Sequence, residues 1–192
     1  MPAVSPSKDG RYTYGDYLGW QDEKRWELID GVPYLMTPSP GRRHQEVLFK
    51  LGMVIAGYLK GKPCQLYMAP LDVRLPEPGQ SDREAVNVVQ PDLLVVCDPG
   101  KLDERGCLGA PDLVVEIVSP SSARRDLGLK FDLYERYGVV EYWIVFPLDR
   151  TVHVYRRDEQ DRYALSGEYT PPDVLTTPLL SGLEINLAEV FA

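Results

Sequence analysis

The chain is 192 residues long, 44% hydrophobic and 26% charged, with a formal net charge of −8. That length suffices for one domain with its own core. No apolar run approaches the roughly 20 residues a spanning helix needs, so no membrane role is expected. The acidic balance counts against a strong non-specific nucleic-acid binder, but charge distribution matters more than its sum. Two basic pairs, Arg42–Arg43 and Arg124–Arg125, flank the segments that carry the chemistry proposed below. Met1 to Gly10, rich in Pro and Ser without an apolar centre, reads as a loose arm and not a signal peptide. Residues 11–192 are then the folded domain. Cys64, Cys97 and Cys107 are far apart and odd in number, which argues against a disulfide framework and for a reducing, cytoplasmic compartment. With only His44 and His153 as histidines, a thiolate or imidazole zinc centre is not expected. Any bound metal should use oxygen ligands, which points to Mg2+ or Mn2+.

In chain order, Thr13-x-x-Asp16 has the form of a capping box and opens a short helix with Tyr17, Leu18 and Trp20. Trp26 to Ile29 and Val32 to Met36 flank Asp30–Gly31, a strong two-residue hairpin signal. A Pro/Ser-rich loop, residues 37–41, follows. From His44 to Lys60, Val47, Leu48, Leu51, Ile55, Tyr58 and Leu59 recur at helical spacing, and Gly61 and Pro63 end the run. Strands are predicted over Leu66 to Leu75, Asn87 to Cys97 and Pro111 to Ser119, with polar loops between them. The last of these is nearly continuous in Leu, Val and Ile, as a central strand buried on both faces requires. A helix is predicted over Ser121 to Tyr137, capped by Ser121 or Ser122 and stopped by Gly138. Glu141 to Phe146 and Thr151 to Arg157 read as a hairpin about Asp149–Arg150. The tail, Tyr163 to Ala192, shows only Pro171–Pro172 and one short apolar end segment. The order implies an α/β (α+β) sandwich around a mixed sheet.

The informative residues are charges inside apolar runs. Glu116 interrupts Leu113-Val114-Val115-Glu116-Ile117-Val118 and shares a strand face with Val114 and Val118. A buried carboxylate there must be paired, protonated or bound to a cation; an ion pair with an arginine is the structural alternative. Asp92, after Pro91 at the head of Leu93-Leu94-Val95-Val96, is either a strand-start aspartate or half of a metal clamp with Glu116. Asp112 is a rival, but it lies about 13 Å from Glu116 along one strand, too far to share a cation. Lys130 falls between Tyr134 and Tyr137 on a helical wheel whose apolar stripe is Leu127, Phe131, Tyr134 and Tyr137. It either faces the sheet or snorkels at the stripe's edge. Glu27, between Trp26 and Leu28, fits the exposed face of a hairpin. His44 fits a helix cap or surface group, and Glu46 in the first helical turn suits the helix dipole.

Taken together, Trp26-Glu27-Leu28-Ile29-Asp30-Gly31, Ser39-Pro40 with His44, Val89-Gln90-Pro91-Asp92-Leu93, Pro111 to Ser121, Asp126, Lys130, Tyr134 and Gly138 to Val145 resemble the PD-(D/E)XK nuclease superfamily. The resemblance is to the bacterial branch of restriction endonuclease-like proteins, and it covers most of the chain. It implies a restriction endonuclease-like fold and hydrolysis of DNA phosphodiester bonds. It makes Asp92 the metal-binding aspartate and Glu116 the second carboxylate, with the main-chain carbonyl of Ile117 as a further metal ligand and Glu27 as an auxiliary acid. The superfamily's lysine two residues after the glutamate is absent, since Val118 stands there; Lys130 on the following helix takes its place. Phe146 stands before Pro147, where the family often carries an acid. By this reading Arg124 and Arg125, with Arg42 and Arg43, contact flanking phosphates, and a homodimer is expected by analogy with related nucleases. A catalytically silent scaffold of the same fold, acting in binding or assembly, or a phosphodiesterase on another ester, are the alternatives.

Overall fold

A computed structural model describes residues 10–21, 24–36, 41–120 and 122–192. The expected N-terminal arm up to residue 9, most of the 37–41 loop with Ser39–Pro40, and the Ser121 cap therefore lie outside the described residues. The N-terminal signals fold as their chemistry requires. Thr13 and Asp16 close a capping box on α1, Tyr14–Tyr17. Asp30 (φ 51°) and Gly31 (φ 76°) both take positive φ, the type I′ geometry that matches strand twist, and join β1, Trp26–Ile29, to β2, Val32–Leu35. A Cβ on Gly31 would sit 2.5 Å from Arg11 Cβ, so glycine is needed there for space as well as torsion. The first long helix, α2, spans Arg42–Leu59 and buries Val47, Leu48, Leu51, Ile55 and Leu59.

Two of the predicted strands are each divided between two sheets. The segment read as Leu66 to Leu75 is β3, Gln65–Met68, and β4, Val73–Arg74; Asn87 to Cys97 is β5, Val88–Val89, and β6, Leu93–Val96. The loop after β6 holds a small hairpin, β7 Leu102–Asp103 and β8 Gly106–Leu108, and the central strand is β9, Leu113–Ile117. Helix α3 spans Lys130–Tyr137, then come β10, Glu141–Phe146, and β11, Thr151–Arg157. The tail is far more ordered than its composition indicated: β12 Tyr163–Tyr169, β13 Val174–Thr176, β14 Glu184–Asn186 and α4 Leu187–Val190. One sheet runs β2-β1-β5-β4-β8-β7, a second runs β12-β11-β10-β9-β6-β3, and β13-β14 form a third pair. The single mixed sheet expected from the element order is thus two six-stranded sheets. The chain crosses between them at residues 69–72 and again at 90–92.

Strand β9 is parallel to β10 and antiparallel to β6, and its alternation sorts the core. Leu113, Val115 and Ile117 face α2 and the C-terminal elements. Val114, with Leu94, Tyr142 and Ile144, faces α3 and the first sheet. Among the described residues no helix is long and apolar enough to cross a membrane.

The approach to α3 departs from the helical wheel. A π turn over Arg125–Leu129 precedes it, and its extra residue rotates the downstream face. Leu127, placed in the apolar stripe, lies inside that turn and is 47% exposed, and Leu133 is buried downstream of it. Ser119, one turn before the predicted cap, accepts the Ser122 N–H through its hydroxyl oxygen. Gly138 ends the helix in the left-handed region at φ 84°.

The cysteine reading is overturned. Antiparallel pairing sets Gln65 opposite Val96, so the next rung brings Cys64 to Cys97, and the two are joined by a disulfide. The inference from cysteine spacing to a reducing compartment loses its basis. Cys107 is free and buried, and burial pushes its thiol up to about 11. Thiol titration of the native protein at mildly alkaline pH is expected to find no fast-reacting group. Denaturant without reductant should expose one thiol, and denaturant with reductant all three. Three thiols without reductant would contradict the pairing. On a chain-entropy basis, closing a 33-residue separation stabilises the fold by about 3–4 kcal/mol.

Candidate active site

The junction of the two sheets gathers charge. Asp92 lies where the chain passes from β5 to β6. Extending the β6–β9 register, Leu93 with Val115, sets Asp92 opposite Glu116. Facing side chains in an antiparallel pair are about 4.5–5.5 Å apart at Cβ, so the two carboxylates meet on one face of the sheet. Glu27 arrives from β1 and is fully buried, not on an exposed hairpin face. Its burial follows from position: β1 is flanked by β2 and β5, and Lys130 covers its carboxylate. The side chains of Glu27, Asp92, Glu116, Asp126, Lys130, Arg125, Arg25 and His44 line one cavity of about 300 Å³, together with Ile117.

The hydrogen bonds within it are directional. The Lys130 ammonium donates to Glu116 Oε1 at 2.8 Å, lies 2.8 Å from Glu27 Oε1 and 3.7 Å from Asp126 Oδ1. The Tyr134 hydroxyl donates to the same Glu116 oxygen at 2.8 Å. Asp92 Oδ2 accepts the Ile117 N–H at 2.8 Å and lies 3.2 Å from His44 Nε2. Glu27 Oε1 also accepts the Gln90 N–H at 3.0 Å. The alternative for Glu116, a pair with an arginine, is not what forms; its partners are a lysine and a tyrosine.

Burial is the first cause of a Glu116 pKa held well above the usual carboxylate range. Lys130 opposes the shift, and the carboxylates of Asp126, Asp92 and Glu27 add to it. Burial alone would lower Lys130, but attraction from Glu116, Glu27 and Asp126 outweighs it and keeps the ammonium charged. Asp126 is raised by its own burial. Among the described residues four carboxyl groups thus face three cations around one cavity; ionising all four would leave an excess of negative charge in a poorly solvated place, which the raised Glu116 and Asp126 pKa values oppose.

That excess, and the unused oxygens, bear on whether a metal fits. Asp92 and Glu116 each spend one oxygen on protein donors, and no donor among the described residues reaches the other. Glu27 Oε2 is buried without a hydrogen bond, with Arg125 at 3.4 Å. Among the described residues no three His, Cys, Asp or Glu side chains close into a metal cage of their own. Two carboxylates and a main-chain carbonyl are an all-oxygen, incomplete set, and that fits a hard cation which keeps most of its water.

Among the sequence candidates, the structure brings Asp92, Glu116, Lys130, Glu27, Ile117 and Arg125 together. Arg124 lies in an adjoining groove shared with Arg125, Tyr34 and Leu129. Arg42 and Arg43 are not brought to this cavity. They border a separate hollow with Val190, Phe191 and Ala192, and Arg42 pairs with Glu46 one turn along α2. Asp112 is occupied elsewhere, accepting the Cys97 N–H at 2.7 Å. Sequence reasoning missed His44, read as a cap or surface group, because α2 begins two residues earlier and turns its ring onto Asp92. Asp126 and Tyr134 were missed as partners of the site; their four-residue spacing on either side of Lys130 was the available signal.

The comparisons with known proteins accord with this architecture. A crystal structure from Anabaena variabilis, described as "a putative nuclease belonging to DUF820", superposes with a TM-score of 0.73, covering 93% of this chain and 97% of that one at 21% identity. An uncharacterised protein of Synechocystis sp. is 26% identical over 162 residues, 83% of this chain and 77% of that protein. Residues 14–188 match the Uma2 family, described as "Putative restriction endonuclease", and since that span is most of the sequence, the chain belongs to the Uma2 family.

Proposed function

We propose that the chain is a Mg2+- or Mn2+-dependent endonuclease that hydrolyses DNA phosphodiester bonds. The observation that carries the reading is the opposition of Asp92 and Glu116 in an open cavity, each with one oxygen unspent, beside a buried, charged lysine. The family description supports the same chemistry. Asp92, Glu116 and the Ile117 carbonyl would hold the cation. Bound there, it would lower the pKa of a water and neutralise charge on the phosphate.

The protein's own groups supply the rest. The Ile117 N–H and His44 fix the Asp92 carboxylate. Tyr134 and Lys130 fix Glu116. Glu27 shares the Lys130 ammonium and holds it between two carboxylates on the cavity wall, where it would orient a water or stabilise negative charge on the phosphoryl oxygens. Arg125 is tethered to Glu27 at the cavity wall and Arg124 lies just outside it, so both can meet phosphates of the same strand without reading sequence.

Incubating the purified chain with plasmid and single-stranded DNA, with manganese and with chelator, tests the proposal. Manganese-dependent cleavage abolished by chelator is expected. An absence of cleavage on DNA combined with hydrolysis of a small phosphate ester would move the activity to another substrate. An absence of both would leave a scaffold of the same fold.

A further inference from the structure

Arg125 and Lys130, two of the three cations lining the cavity, are already matched to carboxylates. Arg25 is not: among the described residues no carboxylate pairs with it. Its guanidinium is instead held by a neutral group. Nε and Nη2 donate to the Gln90 side-chain oxygen at 2.9 and 2.6 Å. Gln90 is only 7% exposed and cannot turn over. Its amide nitrogen donates to Asp72 Oδ1 at 2.8 Å and to the Tyr17 hydroxyl oxygen at 3.4 Å. A flipped amide would set its oxygen against the Asp72 carboxylate and its NH2 against the guanidinium. The main-chain N–H of Gln90 bonds Glu27, so the residue that positions Arg25 also sits directly behind the carboxylates.

A carboxylate anchor offsets part of an arginine's charge, as Glu27 does for Arg125; an amide orients the fork and leaves the charge intact, and among the described residues no group holds Nη1. Arg25 is itself exposed at the cavity rim, where a planar, permanently charged fork suits a phosphate oxygen pair. We infer that Arg25, positioned by Gln90, is a binding subsite for a phosphate group next to the one being cleaved. The inference rests on the nuclease reading for the identity of that phosphate, but not for the existence of an anion site.

The oligonucleotide arm uses the full chain with Ca2+ in place of Mg2+ or Mn2+, so that the carboxylates are neutralised, with a gel confirming that the strand stays intact; the phosphate arm uses the full chain in chelator. Anisotropy of a fluorescein-labelled 12-mer single strand is followed across a salt series, and the Arg25 Nε–Hε NMR signal is followed during titration with inorganic phosphate. Arg25→Ala, at an exposed position, is expected to weaken oligonucleotide binding about tenfold or more and to reduce the salt slope by about 0.7, one single-strand phosphate contact. Arg25→Lys should keep the slope and lose part of the affinity, because it retains the charge without the fork. If the oligonucleotide binds and Arg25→Ala alters neither affinity nor slope, the subsite is wrong and the nuclease reading stands. If the oligonucleotide does not bind but phosphate shifts the Arg25 signal saturably, the anion site stands and the nucleic-acid reading falls. If neither occurs, both fall.

Discussion

Glu116→Gln is expected to lower metal-dependent cleavage by about 10³-fold or more, and Asp92→Asn by a similar factor, with the melting temperature close to that of the parent. Each change keeps the shape of the side chain and removes the charge that would hold the cation, and electrostatic contributions of this kind are commonly the largest in a hydrolytic site. The fold should tolerate the first substitution well. Glu116 is buried where desolvation and three neighbouring carboxylates oppose its charge, and an amide oxygen still accepts from Lys130 and Tyr134. Lys130 meanwhile retains Glu27 at 2.8 Å. Cleavage rates and circular-dichroism melting of the two variants check this. An active Glu116→Gln protein would remove the carboxylate from the mechanism.

Lys130→Met is expected to do something different: to lose activity and stability together. The lysine side chain is 4% exposed and touches Glu116, Glu27 and Asp126. Without it Glu116 and Asp126 are left buried with no cation among the described residues, and Glu27 keeps only Arg125 at 3.4 Å, a change that costs about 3–5 kcal/mol, or roughly 6–20 °C in melting temperature for a domain of this size. The double variant Lys130→Met/Glu116→Gln should recover part of that loss, because one of the stranded charges is gone. Thermal melts of the two single variants and the double variant check the coupling. Strict additivity would mean that the pair does not interact as its geometry indicates.

The contrast between these variants follows from features of unequal visibility in the sequence. The capping box at Thr13, the Asp30–Gly31 hairpin and the α2 stripe were legible because each is a local pattern fixed by local chemistry. Glu116 was legible because a charge inside Leu113 to Val118 breaks an apolar run. The division into two sheets was not, because β4 and β5 are two residues long and their alternation merges with β3 and β6. The β12 strand was hidden by small and polar residues in Tyr163–Tyr169 that meet solvent on the sheet's outer edge. Glu27 resembled an exposed hairpin residue, since nothing within Trp26–Ile29 records that Lys130 covers it. The disulfide was invisible for a related reason: only the register of β3 against β6 brings Cys64 to Cys97. Lys130 was placed on the right side of its helix by a wheel whose stripe was partly wrong, because the π turn at Arg125–Leu129 has no sequence mark.

Asp92 and Glu116 acting together on one cation is a property of binding, and calorimetric titration with magnesium or manganese reads it without relying on cleavage. From that pairing, one site is expected to fill in the millimolar range or tighter in the parent chain and to be lost in both Asp92→Asn and Glu116→Gln. Absence of binding by the parent at millimolar metal, or binding that persists unchanged in both variants, would contradict it.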